Sequence, residues 1–231
     1  MLLRIELLPV NNEIIRRWWF YSHLYRYSIS ALPCSSIGDA IMMPWGHLAF
    51  GYVLYSLGHR FVTRKPPAGF GVVLAIVVGT QLPDVVDKTL SWGLHLFPQG
   101  YSIAHSILVA VPVGLLILGV TAFRSRDIGI AFVLAYWSHL VGDAMLAVPK
   151  RGVSPGDRLL WPIVTLPPYR GEPTLFGQIE RIFSTFFNEM LTTEHFLFLA
   201  IYTVPYLLVF SLWVIDGSPG IAFLWRKENH K

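Results

Sequence analysis

From Met43 onward, long apolar stretches alternate with short polar ones. The apolar stretches cover residues 45–57, 69–82, 103–123, 128–148 and 196–215. A membrane-spanning helix needs about 20 apolar residues, with about 17–25 the usual range. The last three stretches meet that length. The first two fall short unless their polar ends are counted, and a buried hairpin is the other reading of that pair. No stretch keeps the two-residue alternation of a strand, and no internal repeat or low-complexity tract stands out. The pattern predicts an all-α fold, a polytopic transmembrane helical bundle of about five helices.

Residues 1–42 read differently. They mix Arg4, Glu6, Glu13, Arg16 and Arg17 with aromatics and pass through Pro33-Cys34-Ser35-Ser36. A secretory signal would place a clean apolar run of about 7–15 residues after a charged start, and this segment lacks that run. Met42 and Met43 stand just ahead of the first helix. Residues 1–42 are therefore expected to be an N-terminal extension upstream of the biological start; an amphipathic or disordered arm is the alternative. Residues 43–216 are the expected membrane-embedded domain, and residues 217–231 a polar C-terminal tail.

Composition supports a lipid solvent. Hydrophobic residues make up 54% of the 231 and charged residues only 14%, against about 25% charged in soluble domains. The mean hydropathy is +0.52. The net charge is +4, yet the basic residues are scattered through short loops with no basic stripe. That argues against nucleic acid and for the loops of a multi-pass protein of the cell membrane. Alternating topology puts Arg60, Arg64 and Lys65, then Arg124 and Arg126, then Arg226 and Lys227 on one side, assigned to the cytoplasm. The opposite loops carry Lys88 and, in a long loop where the rule has less force, Lys150, Arg151, Arg158, Arg170 and Arg181. Cys34 is the only cysteine, which excludes an intrachain disulfide and a cysteine-based zinc site.

Candidate chemistry lies in a His/Asp set. His47 opens the first helix. Asp84 and Asp87 close the second, in Leu82-Pro83-Asp84-Val85-Val86-Asp87-Lys88. His105 lies near the start of the third, and His139 and Asp143 lie in the outer half of the fourth. Start, end, start, end: alternation brings all six to the same membrane face, which apolar composition does not require. His139 and Asp143 are four apart and share a helix face. An Asp near a helix centre costs about 2.5–3.5 kcal/mol on insertion scales, so Asp143 should meet a partner or a wet cavity. Imidazole and carboxylate together suit zinc, and also manganese or iron. Three His and three Asp can hold one ion with an outer layer of partners, or two ions bridged by a carboxylate. Glu194-His195 opens the fifth helix on the same face, as a further ligand or as a cap. Ser106 and Ser138 can bond to ligands or to backbone. Arg158, ahead of Leu159-Leu160-Trp161-Pro162, can meet a phosphate or anchor in headgroups. Pro167-Pro168-Tyr169-Arg170 reads as a turn or a lid. His23, His59, His95 and His230 lie outside the pattern.

At these residues the chain resembles the LexA-binding, inner-membrane-associated hydrolase family, also called membrane-bound metal-dependent hydrolases. The matching motifs are Met43-Pro44-Trp45-Gly46-His47, Leu82-Pro83-Asp84 with Asp87, His105-Ser106, Ser138-His139 with Asp143, and Leu159-Leu160-Trp161-Pro162. The resemblance covers about residues 43–165, and its order and spacing are more specific than any one motif. One stretch departs: many members have His-Arg-Gly before the His-Ser pair, where this chain has Pro98-Gln99-Gly100-Tyr101-Ser102. The resemblance implies a membrane-bound metal-dependent hydrolase, with a start at Met43.

Together these residues predict a divalent metal, zinc first, held by His47, Asp84, His105, His139 and Asp143. Asp87 would bridge a second ion or act as general base on metal-bound water. Location at a membrane face suggests membrane lipid as partner and a lipid or lipid-linked ester or phosphoester as substrate. Two non-enzymatic alternatives remain: an ion or proton pathway, and a cluster that only ties helices together. The apolar runs 115–120 and 72–78 argue against the pathway.

Overall fold

The structure is a computed structural model that describes residues 44–146, 154–168, 174–190 and 196–221. The expectations for residues 1–43, for Tyr169-Arg170, for Glu194-His195 and for the tail beyond 221 lie outside the described residues. Helix α1 spans Pro44–Thr63 and α2 spans Phe70–Lys88, running on through a π-helical turn at Thr89–Gly93. Then come α3 at Ile107–Thr121, α4 at Arg126–Leu146, a short 3-10 turn at Pro155–Leu159, α5 at Leu175–Met190 and α6 at Phe196–Ile215. Among the described residues every element is helical, as the pattern predicted.

The second apolar segment reaches spanning length once its polar end is counted: with its π-helical turn it runs Phe70–Gly93 and, with Arg126–Met145, is long and apolar enough to cross a membrane. It gains that length by continuing through Pro83 and the polar run to Lys88. The third segment is shorter than its apolar run. Its helix has 15 residues and starts at Ile107, because Ser106 is extended and its side chain accepts a hydrogen bond from the Leu108 N–H. That cap fixes the helix start and leaves residues 101–106 as a turn.

Helix α4 packs against α1, α2 and α3. Ala131, Ala135 and Leu140 on α4 are fully buried, among Tyr55, Ile76 and Tyr136. The outward face is apolar: Leu108, Leu115, Leu116 and Val120 on α3 and Leu207, Leu208 and Phe210 on α6 are all exposed. The buried set meanwhile includes three histidines and four aspartates. Charged groups inside and leucines outside reverse the arrangement of a water-soluble domain and match a lipid-facing one.

Close helix approach depends on Gly79. A Cβ there would stand 2.6 Å from the Phe132 carbonyl oxygen, a backbone atom that cannot swing aside. Gly79→Ala is expected to lose about 1–3 kcal/mol through overpacking, whereas Gly58→Ala, with nothing within 4 Å, should melt as wild type. Thermal melts in detergent check this.

A polar clamp closes the other end of α1. The Asp216 carboxylate, just past α6, accepts from Tyr52 Oη at 2.6 Å, Ser56 Oγ at 2.6 Å and Arg60 Nε at 2.8 Å. Residues 52, 56 and 60 form one stripe of α1. Asp216→Ala leaves Arg60 uncompensated and should cost about 3 kcal/mol, the lower end for a broken buried pair, since Arg60 is one-third exposed. Melting in detergent should fall, while metal affinity stays unchanged.

Candidate metal centre

Four elements deliver the site. The first turn of α1 brings His47, the end of α2 brings Asp84 and Asp87, the turn before α3 brings His105, and the last half of α4 brings His139 and Asp143. All six are buried. Pro83 lacks the N–H that would bond within its helix, and its ring crowds the turn before it. In that loosened turn the Thr80 carbonyl accepts from His139 Nδ1 at 2.6 Å.

A carbonyl can only accept, so His139 carries its proton on Nδ1 and turns an Nε2 lone pair inward. Asp87 does the same for His105, accepting from Nδ1 at 2.8 Å. The two Nε2 atoms therefore face each other at 3.2 Å. Lone pairs at that separation repel unless a cation lies between them.

The carboxylates complete the cage. His105 Nε2 lies 3.3 Å from Asp143 Oδ2 and 3.6 Å from Asp84 Oδ1. His139 Nε2 lies 3.7 Å from each of the same two oxygens. Asp84 Oδ1 is buried and has no hydrogen-bond partner among the described residues. Four ligand atoms about 2.0 Å from a central ion, placed tetrahedrally, are about 3.3 Å apart. The distances just given run from 3.2 to 3.7 Å, the four atoms all lie within 4.8 Å of one another, and the donor set is one that divalent ions take. Asp84, His105, His139 and Asp143 can hold a metal ion. Without one, a proton takes the cation's place: burial opposes charge on His105, but the carboxylates of Asp143, Asp84 and Asp87 outweigh it and push the imidazole up to about 10.

The other two residues stand one contact back. His47 Nε2 lies 3.3 Å from Asp143 Oδ1, the oxygen turned away from His105, and its ring stacks on His139 at 3.8 Å. Asp87 accepts from the backbone N–H groups of Ser102 at 2.7 Å, Ala104 at 2.9 Å and His105 at 3.0 Å as well as from the imidazole. Both its oxygens are engaged by the 102–105 turn. Lys88, four residues past Asp84, pairs with Asp84 Oδ2; the spacing alone could have signalled this pair.

The segment 154–168 lies across the turn that carries His105. Ser106 Oγ donates to the Trp161 carbonyl, and Gln99 Nε2 to that of Pro167. The Phe97 and Trp161 rings meet edge to face at 5.7 Å. Arg158 donates to Tyr101 Oη at 3.1 Å and stacks 4.6 Å over that ring, whose edge meets His105 at 4.8 Å. Of the two serines in the expected set, Ser106 serves the cap and Trp161, and Ser138 bonds to its own helix at the Ala135 carbonyl, 2.7 Å away. Thr80 gave no sequence signal, because only its backbone oxygen acts on the site.

Residues 42–216 match the family model described as YdjM inner membrane protein. Neither the curated proteins nor the solved structures compared give a match.

Proposed function

We propose, from the premise that the chain belongs to the YdjM inner membrane protein family, that it is a metal-dependent hydrolase whose site opens at one face of the membrane. The observation that carries this is the cage of Asp84, His105, His139 and Asp143, whose two imidazole Nε2 atoms lie 3.2 Å apart and whose four ligand atoms all lie within 4.8 Å of one another. The apolar helices pass through the bilayer as a multi-pass bundle, and the four ligands lie at the ends of its helices, away from the bilayer centre. Zinc fits the tetrahedral spacing and the two-imidazole, two-carboxylate set best. When bound, such an ion supplies Lewis acidity toward an ester or phosphoryl oxygen and toward a water. The reaction adds water across an ester bond and yields an acid and an alcohol.

The chain's own residues do the positioning. Asp87 holds His105 in the tautomer that presents Nε2, and Thr80 does so for His139. His47 turns Asp143. With both oxygens engaged by the 102–105 turn, Asp87 is better suited to this role than to a general base or a bridge between two ions. Membrane lipid is the natural partner and a lipid or lipid-linked ester the natural substrate, because the site lies where such groups reside.

Ion or proton conduction has one observation in its favour. The apolar runs of the second and third segments do not extend to α1, where Tyr52, Ser56 and Arg60 carry polarity to the far end. All three end on Asp216, however, and below the cage Thr80 and Ser138 each bond back to their own helices.

The test is hydrolysis of phosphodiester and carboxylic-ester lipids by purified protein in detergent. Activity should vanish with chelator, return with zinc, and be lost in His139→Ala. Hydrolysis that survives metal removal overturns the reading, as does proton flux in liposomes with no hydrolysis.

A further inference from the structure

Charge bookkeeping around the cage leaves one cation over. Asp84, Asp87 and Asp143 supply three negative charges. Lys88 pairs with Asp84, and a divalent ion would balance the other two. Among the described residues Arg158 then has no carboxylate to answer. Its neighbour Asp157 is occupied, accepting the Ser154 N–H at 2.6 Å within the capping box of the short 3-10 turn. No ion pair involves Arg158 among the described residues. Among the described residues its hydrogen-bond partner is the Tyr101 hydroxyl, one bond for a five-donor guanidinium.

Arg158 is also held in place. The Tyr101 ring lies beneath it, the capping box fixes the turn that carries it, and the Trp161 and Pro167 carbonyls tie the following residues to the His105 side. One aromatic ring separates the guanidinium from His105. Stacked on Tyr101 and held by one hydrogen bond among the described residues, the half-buried guanidinium keeps donors for an anion. Its planar fork matches the oxygens of a phosphate.

We propose that Arg158 is the anion-recognition residue of this site, binding the phosphoryl oxygens of a phosphoester beside the metal cage. This rests on the metal-dependent reading and narrows its substrate class from esters in general to phosphoesters. A neutral carboxylic ester would leave the surplus charge unanswered. Lipid phosphoesters and soluble ones share this chemistry, and headgroup and water-soluble probes separate them.

The experiment measures inorganic phosphate binding to zinc-loaded protein in detergent by titration calorimetry, with glycerol phosphate and a short-chain phosphatidyl lipid as further probes. Wild type should bind phosphate. Arg158→Ala should weaken it at least tenfold and Arg158→Lys less, with zinc content unchanged in both. Tyr101→Phe removes the tether but keeps the charge, and should bind within a few fold of wild type. Tighter binding of the phosphatidyl probe than of glycerol phosphate would support a lipid source, and equal binding a soluble one. Phosphate binding that is absent in wild type, or equal in Arg158→Ala, overturns the proposal. If Arg158 governs phosphate binding but no ester is hydrolysed, the anion site stands and the hydrolase reading falls.

Discussion

His139→Ala is expected to abolish measurable metal binding in protein that still folds. His139 supplies one of four inward ligand atoms, and its Nε2 lies within 3.7 Å of the other three. Thr80 and Ser138 are committed to their own helices, and the neighbouring His47 imidazole is engaged by Asp143 Oδ1 at 3.3 Å. Removing a ligand should exceed the about 10–100-fold typical of losing an outer partner. His47→Ala is the comparison. His47 touches the cage through Asp143 Oδ1, so its loss should fall within that about 10–100-fold range. Competition with a chelating dye in detergent reads both. Equal losses for the two variants would place His47 among the ligands, as the sequence pattern suggested, and would redraw the cage.

Asp87→Asn should weaken metal binding by about a hundredfold, the upper end for an outer partner. The Asp87 carboxylate accepts four hydrogen bonds at 2.7–3.0 Å, three from backbone N–H groups and one from His105 Nδ1. An amide offers one accepting oxygen and turns an NH2 donor toward other donors. The His105 Nδ1 would then be pressed to accept, and the proton would move to Nε2, where a metal needs a lone pair. The 102–105 turn would also loosen, since buried N–H groups left without an acceptor cost about 1–3 kcal/mol each. Metal affinity and melting temperature should therefore fall together. A variant that keeps full metal affinity but loses hydrolysis would restore Asp87 as a general base.

Much of this was legible in the sequence, for a physical reason. A helix in lipid must bury its polar groups, so His47, Asp84, Asp87, His105, His139 and Asp143 stood out against apolar surroundings, and alternation of helix direction placed them at one end. Their ranking was not legible. Spacing shows that Asp84 and Asp87 neighbour each other on one helix, but which of them faces the cage depends on the 102–105 turn, and that turn has no periodicity to read. The Asp216 clamp joins residues 160 positions apart, beyond any local pattern. Ile103 and Ala104 are apolar enough to continue the run of α3 in the sequence, while the Ser106 cap starts the helix at Ile107. Arg158 was visible as a cation, but its place over Tyr101 was not.

The central claim is that Asp84, His105, His139 and Asp143 form a metal site, and elemental analysis of the purified protein in detergent tests it most directly. About one divalent ion per chain, zinc foremost, should co-purify with wild type and be missing from a folded His105→Ala, His139→Ala double variant. A wild-type protein that carries no metal and takes up none on titration would contradict the account.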